Sequence, residues 1–359
     1  MKNLEKYLSL LDGEVDGLLL TSRYSRHYGA EFDIAEGVAI VTKAGCRYFT
    51  DSRYIESAQA GLKGFEVLDV AGFGYFKRLN DAIADFGITT LGFEEAYLTV
   101  AEFQGFEKNL NAKLVPYNAK IAGFRAVKEE WELENMRKAQ QIADKAFAEV
   151  LPRVKKGMSE LELQAELEGE LIRLGGESYV QAFAPMVATG PVNSFISMCR
   201  NTTRKMQESE ILNLAAGVCY EGYNGVICTP YVLGEVPQKI KDAIKCAYEA
   251  LNTAADLMKP GTPCDVVLNA YTDYLTKYGY IDYCPYGSLH STGLLECEAP
   301  VFSVNNKRVI EENMGICIDA YFKGMEWGSF RVEDVYVIGK NGAERVTTYN
   351  DEFLPGFLK

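Results

Sequence analysis

HSTGLLECEAP, residues 290–300, holds one of only two histidines in a chain of 359 residues. Imidazole is the side chain best suited to bind a transition metal or to move a proton near neutral pH. Here it stands in one short segment with a thiol, Cys297, and a carboxylate, Glu298. Two strand-like runs follow, MGICIDAYF (314–322) and VEDVYVIG (332–339), and each sets carboxylates inside an apolar stretch. A carboxylate buried without a partner is costly, so Asp319 either lines a polar cavity or has a partner, whereas Glu333, beside Asp334 and two residues after Arg331, fits a pocket carboxylate or a strand-surface charge cluster.

Working outward, ILNLAAGVCY (211–220) and GVICTPYVLG (225–234) read as further strands. Four helices accompany them. The first follows AKIAGFRAVKEE and carries an apolar face of Trp131, Met136, Ala139, Ala143, Ala146 and Val150, interrupted by Pro152 and Gly157. A second opens on a Ser159–Glu162 capping box and stops at Gly175-Gly176, and two more cover 239–258 and 265–279. Strands grouped around helices indicate an α+β domain over 123–359. In residues 1–122 strand runs at 17–22, 37–43, 46–51, 65–70 and 90–95 alternate with helical segments, one opened by a Thr99–Glu102 box. That is an α/β domain.

The bulk numbers narrow the function classes. A chain of this length exceeds the usual single core, which favours two domains. A net charge of −13 argues against nucleic-acid or anionic-membrane partners, and no apolar run approaches a bilayer-spanning length. The nine cysteines, odd in number and without compact spacing, read as reduced thiols of a cytoplasmic protein.

The motifs, taken in order, resemble the creatinase / aminopeptidase P / prolidase (Xaa-Pro peptidase) family over nearly the whole chain. TDSRYIESA (50–58) and LGFEEAYLT (91–99) are similar to its N-terminal domain. The helices at 124–147 and 157–177, then VATG (187–190), YEGY (220–223), HSTGLLECEAP and RVEDVYVI (331–338), are similar to its catalytic domain. The resemblance implies a creatinase-like α/β N-terminal domain, a pita-bread C-terminal domain and a homodimer whose N-terminal domain helps to wall the partner's site. It also implies metal ligands: two aspartates, one histidine and two glutamates. Anchored on YEGY, the aspartates fall at 215 and 226, where this chain has Ala215 and Val226. The remaining ligands match His290, Asp319 and Glu333, and two proton-shuttling histidines fall at Ser197 or Met198 and at Cys297.

Three readings follow. The first is a hydrolase of a small C–N-bonded substrate (amide, amidine or ureido) that works without the two-metal centre. In it His290, Glu333 and Asp319 are catalytic, and Arg331, Cys297, Tyr223 and Phe183 contact substrate. The second is a non-catalytic binder of a small molecule or short peptide. The third is a one-metal dipeptidase, with a single divalent ion on His290, Asp319 and Glu333; otherwise no cofactor is expected. Ordinary two-metal Xaa-Pro dipeptidase activity is not expected. Cys228, Cys297 and Cys317 are expected near one cavity, Tyr179, Tyr220, Phe322 and Trp327 are read as packing first, and His27 is placed in a loop.

Overall fold

The computed structural model describes residues 2–11, 13–70, 72, 74–177, 183–194, 201–284 and 288–359. The chain divides into two compact units, Met1–Arg125 and Ala126–Lys359, slightly later than the expected 122/123 boundary.

The first unit is built on a six-stranded mixed sheet. Its strands are β1 (Gly17–Leu20), β2 (Val38–Thr42), β3 (Gly45–Thr50), β4 (Glu66–Asp69), β5 (Thr90–Phe93) and β6 (Lys113–Pro116), ordered β4-β3-β2-β1-β5-β6. β1 and β2 are buried along their whole length, which their unbroken aliphatic runs require. The Thr99–Glu102 capping box forms and opens the helix Val100–Asn109. The expected loop around His27 is instead a helix, Arg23–Ala30, and His27 is buried in it. Its polar sequence carries little periodic signal. The helix starts because the Ser22 hydroxyl accepts the Ser25 N–H, and Ser22 is held by Glu94.

The second unit is built on an eight-stranded sheet. β7 (Met186–Thr189), β8 (Ile211–Tyr220), β9 (Tyr223–Val232), β10 (Ser288–Ser291), β11 (Glu298–Val301), β12 (Gly315–Met325) and β13 (Gly328–Gly339) run in the order β11-β10-β12-β13-β9-β8-β7. β14 (Gly342–Arg345) pairs with β13. Helices Glu130–Val150 and Glu160–Arg173 pack on β7 to β9 through Leu212, Leu214, Ala216 and Ile227. Helices Gln238–Ala255 and Cys264–Lys277 pack on β12 and β13 through Ile316, Ile318, Ala320 and Phe322. Each large apolar side chain buried there contributes roughly 1.5–3 kcal/mol. A β-carbon on Gly225 would lie 2.6 Å from the backbone of Ala139 and Gln140, so only glycine lets that first helix lie so close to β9. No helix among the described residues is long and apolar enough to cross a membrane.

Strand alternation puts every second residue on the opposite face. While Ile316, Ile318 and Ala320 go under the helices, Cys317 and Asp319 go to the other side. That side carries the chemistry.

Candidate active site

Antiparallel registers set one row across four strands: Ala215 opposite Cys228, Cys228 opposite Glu333, and Glu333 opposite Asp319. Residues directly opposite share a face with their Cβ atoms about 4.5–5.5 Å apart, so the row is a contiguous patch. Two residues along, His290 stands opposite Cys317. Arg331 lies two residues from Glu333 on the same strand, hence on the same face. The sheet thus gathers His290, Asp319, Arg331 and Glu333, which the sequence had placed together. All of them are buried.

Their partners divide them. Asp319 takes Arg331, with the guanidinium Nε 3.1 Å from the carboxylate. Glu333 lies 3.8 Å from the other end of the same guanidinium and accepts from two thiols, Cys228 at 2.8 Å and Cys317 at 2.9 Å. Burial, with the Glu333 charge beside them, pushes both thiols well above the usual cysteine range, so both keep their protons at neutral pH. One donor atom each from His290, Cys317 and Glu333 lies within 4.8 Å of the others. The three-residue donor group thus contains Cys317, the register partner of His290, while Asp319, which the sequence put forward, pairs with Arg331.

His290 Nδ1 lies 3.1 Å from the Ser291 carbonyl, and Nε2 lies 3.5 Å from the Glu296 carboxylate. Burial alone lowers the affinity of an imidazole for protons. Here a hydrogen bond with Cys297 and the negative charges of Glu296, Cys297 and Glu333 outweigh it and hold His290 up at about 10. Glu296 is raised from its ordinary value by burial and by repulsion from Glu333, with His290 and Arg331 opposing. The patch therefore favours positive charge at the imidazole.

Two supporting residues were not evident from sequence. Glu296 lies in the turn after β10, where strand alternation gives no guide. Lys128 forms a buried ion pair with Glu298 at 2.9 Å and reaches the Ser291 hydroxyl at 3.3 Å, next to His290. A lone lysine in RAVKEE is the one local signal for it. The expected substrate contacts fall in different places. Cys297 is exposed and hydrogen-bonded to His290. Tyr223 is fully buried at the start of β9 with its hydroxyl on Glu132 at 2.9 Å, outside this patch because that bond and the Trp131 ring hold it there. Phe183 is half-buried, and Tyr179, Ser197 and Met198 lie outside the described residues.

Residues 134–340 match the family model described as metallopeptidase family M24, and residues 2–127 match the creatinase/prolidase N-terminal domain. The chain is 28% identical over 341 residues to the uncharacterised peptidase YqhT of Bacillus subtilis, covering 95% of this chain and 96% of the relative. It is 25% identical to the Xaa-Pro dipeptidase of Pyrococcus horikoshii, covering 98% and 99%. A solved Xaa-Pro dipeptidase from Bacillus anthracis superposes with a TM-score of 0.89 at 27% identity, covering 97% of each chain. The fold, with its prolidase-type N-terminal unit, is the pita-bread fold of those enzymes. A metallopeptidase needs donor atoms. On this face His290, Cys317 and Glu333 offer nitrogen, sulfur and oxygen, while Ala215 and Val226 offer hydrocarbon only. By sequence and by fold, the chain belongs to metallopeptidase family M24.

Proposed function

We propose that this chain is a hydrolase of a small C–N-bonded substrate, a short peptide, amide, amidine or ureido compound, and that it works without the two-metal centre of Xaa-Pro peptidases. The observation that carries this reading is the division of one sheet face. Ala215 and Val226 make its β8–β9 side apolar, whereas β10, β12 and β13 present His290, Glu333 and the Asp319–Arg331 pair.

Each group has a task in hydrolysis. The Arg331–Asp319 pair orients a charged end of the substrate, since a guanidinium fixed on one carboxylate still presents donors to another group. His290 and Glu333 mark where the scissile carbonyl is polarised. Glu296, beside His290 Nε2, takes a proton from the attacking water and returns it to the leaving nitrogen as the C–N bond breaks.

A panel of small amides, amidines, ureido compounds and dipeptides tests this. One or more should be turned over, and both His290→Ala and Glu296→Gln should lose about 10²–10⁴-fold of that turnover. Turnover unchanged in His290→Ala overturns the assignment. Rapid cleavage of Xaa-Pro dipeptides with two manganese ions bound per chain overturns the claim that the two-metal centre is gone. A second reading, binding without turnover, is favoured by the hydrocarbon wall at Ala215 and Val226. It predicts ligand-dependent thermal stabilisation with no product formed.

A further inference from the structure

We propose that His290, Cys317 and Glu333 form a mononuclear site for one borderline-soft divalent cation, zinc or cobalt, with nitrogen, sulfur and oxygen ligands and an open position for water or substrate. The proposal rests on the reading above that the two-metal centre is gone, and it names the agent that polarises the carbonyl.

The three donor atoms lie within 4.8 Å of one another, and all three residues are buried. Zinc–ligand bonds of about 2.0–2.3 Å put tetrahedral ligands roughly 3.3–3.8 Å apart, so side-chain adjustment is enough to close the site. The backbone is already placed. His290 and Cys317 are register partners, and Glu333 stands one strand further on.

The imidazole is oriented for this role. Its Nδ1 faces the Ser291 carbonyl at 3.1 Å, which suits an N–H there, so Nε2 becomes the donor when the ion displaces the proton it holds toward Glu296. The carboxylate is prepared as well. Glu333 Oε1 accepts the Cys317 thiol at 2.9 Å, so exchanging that thiol proton for an ion brings sulfur and oxygen onto one centre. The Ser291 strand is fixed by Lys128, which limits drift of the neighbouring ligand.

Charge agrees with geometry. Cys317 thiolate and Glu333 together carry two negative charges, matching one dication. The nearby guanidinium is already matched by Asp319, so it does not leave a net positive charge opposing the ion. Glu296, 3.5 Å from Nε2, stands where it can accept a proton from a bound water. A thiolate in the donor set selects zinc or cobalt over magnesium and manganese. With hydrocarbon at Ala215 and Val226, the stoichiometry is one ion per chain.

The test is cobalt titration of the reduced full-length protein, read by absorption. One cobalt per chain should bind, with a near-ultraviolet sulfur-to-cobalt charge-transfer band, and zinc should displace it. Cys317→Ser should lose the band. Cys228→Ser, which removes the thiol on the other Glu333 oxygen, should keep it. No bound cobalt, a bound cobalt without the sulfur band, or a band that survives Cys317→Ser each overturns the proposal. Should Cys317→Ser not fold, zinc-edge X-ray absorption of the unmodified protein replaces it: one sulfur neighbour per zinc supports the site, and none or two refutes it. The result is separate from turnover. Cobalt bound through sulfur with no substrate cleaved sinks the hydrolase reading alone, and turnover in protein that binds no cobalt sinks this one alone.

Discussion

Each unit buries a glutamate, Glu94 in the first and Glu333 in the second, and the two are held in opposite ways. Glu94 accepts the backbone N–H groups of Thr21 at 2.9 Å and Ser22 at 3.0 Å, and the hydroxyls of Ser22 and Ser25. Its oxygens are committed to strong donors that begin the helix Arg23–Ala30. Glu333 has two thiols, which are weak donors, and a guanidinium 3.8 Å away that is engaged by Asp319. Burial of charge thus serves two ends here. Strong backbone donors make a carboxylate structural; weak, exchangeable donors leave one available for chemistry.

The comparison breaks if the two glutamates respond alike to substitution. Glu94→Ala leaves two backbone N–H groups and two hydroxyls without their acceptor, at about 1–3 kcal/mol each. After partial relief by water the loss is roughly 5 kcal/mol, measurable by denaturant unfolding. Next in size is Lys128→Met, which takes the buried ammonium away from the buried Glu298 carboxylate and costs about 3–5 kcal/mol. It shows that the second unit also contains a structural carboxylate beside the reactive one.

A third measurement sharpens the picture of the first unit. Burial pushes His27 down to about 4, with Asp33 opposing and Arg23 and Arg26 assisting. The folded value lies below the unfolded value of 6.5, so the unfolded chain takes up the proton first. The stability that neutral His27 permits is full above pH 6.5 and is lost as pH falls through 4, up to on the order of 3 kcal/mol. His27→Gln should flatten the unfolding free energy between those pH values, while the Asp33 contribution, which has the same sign, persists at lower pH.

The smallest expected stability change is at Glu333 itself. Glu333→Gln keeps an acceptor for one thiol and should shift unfolding by no more than about 1 kcal/mol. Turnover of any substrate found should nevertheless fall by about 10²-fold or more. A large loss of stability there places Glu333 with Glu94.

The sequence makes the faces of β12 readable because apolar and polar side chains alternate along it. Ile316, Ile318 and Ala320 against Cys317 and Asp319 fix which face is polar. The Ser159–Glu162 box likewise forms as a local signal predicts. What is not readable depends on distant partners. The helix around His27 needs Glu94, some seventy residues away, to hold its cap. Cys317 and Asp319 point to the same side, and which one joins His290 is decided by the register of β10 on β12, which sets Cys317 opposite it. Alternation cannot report that.

The β12–β13 hairpin has a consequence for how this chemistry can change over time. Asp319 pairs with Glu333 in regular register, and the irregularity of the hairpin is confined between Phe322 and Met325, near its tip. Inserting or deleting one residue at the tip can be absorbed there. The same change between Cys317 and Phe322 turns donors toward the helices and apolar side chains toward the site. Length variation is therefore excluded from the functional stretch, and new specificities arise in it by exchange of side chains at fixed positions.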